Sequence, residues 1–163
     1  MREADAFENE KLGMFFQQAS RHAQRLEAAR LRVKEILPLD ETRYESLGLD
    51  EIEHIDWLHY RFTKLQDTMG RKLFPQIMAL YEMDEEWKYR PMRDLLNRLE
   101  GAGFIERADI WDELRKVRNL IAHEDETDPQ RAIAGIESLY RFSEDLLRIF
   151  NQCSRKLHHE WMV

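Results

Sequence analysis

DEIEHIDWLHYRFTKLQDTMGRKLFPQIMALY, residues 50–81, is the stretch that decides the fold class. Its apolar residues Ile55, Phe62, Leu65, Met69, Leu73, Ile77 and Leu80 recur at steps of three, four and seven, which places them on one face of an α-helix. Asp50 has the short polar side chain that suits an N-cap, so a helix is predicted from near Asp50 to about Tyr81. At roughly 100° per residue, Gln66 falls inside the stripe, and His59 and Gly70 lie beside it. A polar side chain there needs either a buried partner or a wet cleft. Gly70 costs a helix about 1 kcal/mol relative to Ala, which points to close approach by a neighbouring helix.

The same periodicity continues on both sides. Upstream, Leu12, Phe15, Ala19, Ala23, Leu26 and Val33 form one face of a helix from about Asp5 to Leu37, stopped by Pro38 and followed by a polar loop through Gly48. Downstream, the loop Met83 to Tyr89 leads to Pro91, read as the first residue of a short third helix that ends at Gly101-Ala102-Gly103. A fourth helix starts around Ala108 or Asp109 and carries Ile110, Trp111, Leu114, Val117 and Ile121. Thr127 or Asp128 caps a fifth, with Pro129 at its start and Ile133, Ile136, Tyr140, Leu147, Phe150 and Leu157 along it. No strand pattern competes with this reading. The short connections predict an all-α, antiparallel bundle of about five helices in a single domain, residues 1–163.

Composition agrees. The 163 residues are 43% hydrophobic and 35% charged, with 6 Gly and 4 Pro, as expected for long amphipathic helices. One cysteine, Cys153, excludes an internal disulfide framework and suits a reducing compartment. The sequence has no run of apolar residues long enough to span a bilayer, and its start, MREADAFENE, is not a signal peptide. The expected location is the cytoplasm. The net charge of −7 is unusual for a protein that grips nucleic acid broadly. It leaves either a small local basic cleft or an acidic surface meant for a protein partner. No glycine-rich phosphate loop and no His-Glu-x-x-His pattern occurs, and His158-His159 read as a solvated tail rather than a metal site. No cofactor and no metal are expected. Trp57, Tyr60 and Phe62 could stack on bases, but their helical spacing makes core packing the default.

Chemistry concentrates in Leu114-Arg115-Lys116-Val117-Arg118-Asn119-Leu120-Ile121-Ala122-His123-Glu124. Arg118 falls within the apolar arc of the fourth helix, between Trp111 and Leu114. A guanidinium stays charged and is costly to bury alone, so Arg118 is expected at a seam or cleft facing an anion, either a ligand or an Asp or Glu of the chain. Five residues on, His123 would point about 140° away in a regular helix. A frayed last turn would bring it beside Arg118, and the helix C-terminus would favour its protonated form. The alternative for His123 is an ordinary helix-end cap.

Arg118-Asn119-Leu120-Ile121-Ala122-His123 resembles the signature of HEPN domains: Arg, a polar residue, three more residues, then His. It lies between the fourth helix and the last long one, where those domains place it. Together with Arg61 to Asp67, Gly70, Lys72-Leu73-Phe74, Leu95 to Leu99 and Trp111 to Arg118, the chain resembles the bacterial HepT-like branch over roughly Ile52 to Leu147. That resemblance implies a homodimer with the two Arg–His motifs facing each other in one composite cleft. It also implies metal-independent cleavage of RNA, a toxin role, and a small nucleotidyltransferase as antitoxin partner. The sequence departs from the branch at one point. Several relatives continue His-x-Tyr, the tyrosine receiving AMP from the antitoxin, whereas this chain reads His123-Glu124-Asp125. The block Glu124-Asp125-Glu126 also sets negative charge beside the motif.

RNA supplies its own nucleophile, the 2′-hydroxyl. His123 is assigned proton transfer, a factor of roughly 10²–10⁴ in rate. Arg118, always protonated, is assigned phosphate binding, a role whose loss costs on the order of 3 kcal/mol. Asn119 would orient His123 or bond the phosphate; equally, it is a polar residue at a helix C-terminus. Two other readings stay open: a non-catalytic module that binds a nucleotide or docks a nucleotidyltransferase, and a helical scaffold with an accidental Arg–His spacing.

Overall fold

A computed structural model describes residues 3–120 and 127–161. The elements are α1 (Glu3–Lys34), α2 (Glu41–Glu45), α3 (Leu49–Thr68), a π-helical turn (Met69–Leu73), α4 (Phe74–Tyr81), a 3₁₀ turn (Glu85–Tyr89), α5 (Met92–Gly101), α6 (Asp109–Leu120) and α7 (Pro129–Glu160). Among the described residues there is no strand, and no helix is long and apolar enough to cross a membrane.

The predicted stripes are the core. Leu12, Ala19, Leu26 and Val33 of α1, Phe62 and Leu65 of α3, Leu114 of α6 and Leu157 of α7 are all at most 2% exposed. Each fully buried Leu or Phe side chain contributes about 1.5–3 kcal/mol relative to an exposed one. Helix α1 runs antiparallel to α7: Phe16 stacks on Phe150 at 5.8 Å, and Arg30 bonds the Tyr140 carbonyl. It also runs antiparallel to α3, and the π turn that follows α3 brings Lys72 Nζ to within 3.3 Å of Gln18 Oε1. Cys153 is wholly buried, and burial pushes its thiol up to about 12, leaving no reactive thiolate.

Two local readings are corrected and one is refined. The predicted helix over residues 50–81 is one uninterrupted helical run with a π turn inside it, because Pro75 has no N–H to give to the carbonyl one turn back and its ring crowds that carbonyl. The chain widens just before it, the Phe74 N–H reaching Met69 O five residues back. The N-cap of α3 is Gly48 rather than Asp50, and Glu51 accepts from the Gly48 N–H at 3.1 Å. Pro91 is extended (φ −55°, ψ 146°) and precedes α5 instead of opening it. In addition, the polar loop before Gly48 contains α2, started by Asp40, whose carboxylate accepts from the Arg43 N–H at 2.7 Å. Of the two predicted caps for α7, Asp128 is the one used, accepting from the Gln130 N–H at 3.0 Å.

Candidate functional site

Helix α6 turns Trp111, Leu114 and Val117 into the core, all at most 3% exposed. It crosses α3 antiparallel, and Gly70 makes the crossing close. A Cβ at residue 70 would lie 3.2 Å from Trp111 Cζ2 and 3.3 Å from Met92 Cε. The Trp111 ring also rests on Phe74, with centroids 5.1 Å apart. The absent side chain at Gly70 therefore sets how near α6 sits to α3, and the next two turns of α6 carry Arg118 alongside α3.

There Arg118 Nη1 donates to Asp67 Oδ1 at 2.7 Å, with the two side chains 34% and 32% exposed. The anion expected opposite Arg118 is thus a carboxylate of the chain itself. The contact engages one terminal nitrogen of a group that has five N–H donors in a planar fork.

Gln66, next to Asp67, is 2% exposed, yet neither its Oε1 nor its Nε2 has a partner among the described residues. It lies one turn before Gly70, on the same side of α3. A buried amide without partners costs about 1–3 kcal/mol. The sequence placed Gln66 on the apolar face, and the structure buries it there.

The other expected site residues divide. Asn119 is exposed. His123, with Glu124, Asp125 and Glu126, lies outside the described residues. His158 Nδ1 donates to the Ser154 carbonyl at 2.7 Å, and its ring meets Phe16 edge-on at 5.4 Å, so it is a local cap on α7. Asp67 had not been singled out as a site residue. The only signal for it was that a charged arginine on an apolar arc demands an acid, and periodicity does not say which acid, 51 positions away, will answer.

No protein-family model, no curated protein and no solved structure matches this chain, so the case for the site stands on the geometry around Arg118.

Proposed function

We propose that the chain is a metal-independent endoribonuclease of the HEPN type, the toxin of a toxin–antitoxin pair, acting as a homodimer with Arg118 and His123 at a composite site. The observation that carries this reading is Arg118, a half-buried guanidinium on the last turn of α6 that is oriented by one carboxylate and has donors to spare. An arginine held that way is prepared for a phosphodiester: bidentate contacts to its non-bridging oxygens need the fork to be pre-aligned. His123 removes the proton from the RNA 2′-hydroxyl as that oxygen attacks phosphorus. The P–O5′ bond breaks, and the histidine of the second copy returns a proton to O5′. The products are a 2′,3′-cyclic phosphate and a free 5′-hydroxyl. Arg118 stabilises the charge on the phosphoryl oxygens, and Asn119, being exposed at the end of α6, is free to hold the substrate phosphate.

The Arg118–Asp67 pair also favours a second reading, in which the motif docks a nucleotide or a nucleotidyltransferase without cutting anything, because a carboxylate beside the guanidinium opposes the negative charge that builds up during cleavage more than it opposes a static contact. One experiment separates the two. With a chelator present, purified protein should cut RNA to cyclic-phosphate ends, His123→Ala should abolish cutting, and Arg118→Ala should lower it by roughly 100-fold or more. Nucleotide binding by calorimetry with no cleavage of any of several RNAs would leave only the docking reading. Cleavage surviving His123→Ala would end the nuclease mechanism as written.

A further inference from the structure

In a chain of net charge −7, residues 11–26 contain no acid, and residues 57–72 contain one, Asp67, already committed to Arg118. These two stretches lie side by side, antiparallel, in α1 and α3. Between them they carry Lys11, Arg21, Arg25, Arg61, Lys64 and Lys72, together with Arg71. Arg21, Arg25, Lys64 and Lys72 are exposed, and among the described residues no carboxylate lies within ion-pairing distance of any of them. On a surface otherwise laced with ion pairs, this is an unneutralised basic strip. From Arg61 to Lys72, which meets Gln18, it covers twelve residues of α3 and the π turn, about 16 Å of helix.

Aromatic rings stand within the strip. Arg61 lies 5.0 Å from the centre of the Tyr60 ring and 5.9 Å from that of Trp57, and Lys64 lies 5.5 Å from Tyr60. Tyr60 is 49% exposed. Arg61 is held by these ring contacts, and its buried Nε has no partner among the described residues. His22 sits between the two rows of cations, its pKa pushed below the usual 6.5 by burial and then by Arg61, Arg25, Lys64 and Arg21.

We infer that the outer face of the α1–α3 pair binds single-stranded nucleic acid, with backbone phosphates on Arg21, Arg25, Arg61 and Lys64 and bases stacked on Tyr60 and Trp57. Cations in a row attract any polyanion, but cations interleaved at helical spacing with an exposed ring, Tyr60, and a half-buried one, Trp57, match a strand whose phosphates and bases alternate. An anionic membrane fits less well. The strip carries the polar residues Gln17, Gln18, Ser20, His22 and Thr63, and its exposed large apolar side chains are only Met14 and Tyr60, too few to make a face that inserts. The surface is distinct from the Arg118–His123 motif and does not depend on cleavage. It gives the acidic chain a local basic footprint.

The test uses the full chain and a fluorescein-labelled single-stranded DNA oligonucleotide, which has no 2′-hydroxyl and so cannot be cut by the proposed chemistry. Wild type should bind it with an affinity that falls as salt rises. The variant combining Arg21→Gln, Arg25→Gln, Arg61→Gln and Lys64→Gln should bind at least tenfold more weakly, and its log-affinity against log-salt slope should be shallower by up to about 3. Tyr60→Ala should weaken binding about tenfold without changing that slope. In the wild type, the His22 pKa followed by NMR should rise when the oligonucleotide binds. Equal affinity of wild type and the fourfold variant, both shown folded by circular dichroism, would overturn the inference. So would loss of affinity in Arg118→Ala alone, or binding to phosphatidylserine vesicles with none to the oligonucleotide. Oligonucleotide binding with no RNA cleavage leaves the inference standing and removes the nuclease.

Discussion

Arg30 and Arg118 are both arginines on amphipathic helices, both facing a neighbouring helix, and the chain treats them in opposite ways. Arg30 of α1 is enclosed by α7. Its Nη1 bonds the Tyr140 carbonyl and the Ser143 hydroxyl, its Nη2 lies 3.9 Å from Glu144, and its guanidinium stacks 4.3 Å from the Tyr140 ring centre. Only 16% of its side chain is exposed. Arg118 has Asp67 on one nitrogen and twice that exposure. A structural arginine has its fork filled from several directions. Arg118, among the described residues, is held by one carboxylate, which is what the proposed role requires.

The largest expected effect that could break this contrast is on stability. Arg30→Met should cost about 2–3 kcal/mol, since it removes charge-assisted hydrogen bonds from a mostly buried site. Arg118→Met should cost under about 1 kcal/mol, because a third-exposed ion pair is weakened by solvent. Urea denaturation of both variants measures the difference. If Arg118→Met proves as costly as Arg30→Met, Arg118 is a structural ion pair, and the nuclease proposal loses the observation that carries it.

Gln66 extends the contrast to a neutral group. Where Arg30 has both terminal nitrogens engaged, the Gln66 amide is buried with no partner among the described residues. Gln66→Met has nearly the same shape and no polar atoms to desolvate, so it should raise stability by about 1 kcal/mol. Thermal unfolding reads this out. A loss of stability instead would show that the amide has a partner in the folded protein, and the seam would then be closed rather than available.

How much of this was legible beforehand follows the range of the interactions. The helices came from three- and four-residue recurrences, a signal contained within a single turn or two, and Phe62, Leu65, Leu114 and Leu157 are buried as their spacing predicted. Gly70 was readable as a point of close approach, although Trp111 and Met92 were not readable as what approaches. The π turn before Pro75 was missed because the apolar stripe runs straight through it: the turn keeps the face while changing the bond pattern. Arg118 could be placed on an apolar arc from its position, but Asp67, its partner, is a tertiary fact. The basic strip is of the same kind, since neither the α1 nor the α3 segment alone is notable and only their antiparallel pairing concentrates the charge.

The smallest effect concerns His22, whose surroundings are the reverse of Arg30's. Arg30 faces acceptors; His22 faces Arg21 and Arg25 from its own helix and Arg61 and Lys64 from α3, and its Nδ1 is buried without a partner among the described residues. Its folded pKa is therefore below the ordinary 6.5, first through burial and then through these cations. As pH falls through 6.5 the unfolded chain takes up the proton before the folded one does. The unfolded state then binds more protons, so the stability contributed by neutral His22 is fully present above 6.5 and is lost on going lower. His22→Gln, which cannot charge, should show a smaller decline in stability between pH 7 and pH 5 than wild type when both are unfolded by urea. Identical declines would mean that the four cations do not converge on the imidazole in solution. The strip on α1 and α3 would then lose the crowding of positive charge on which its affinity for a phosphate backbone depends.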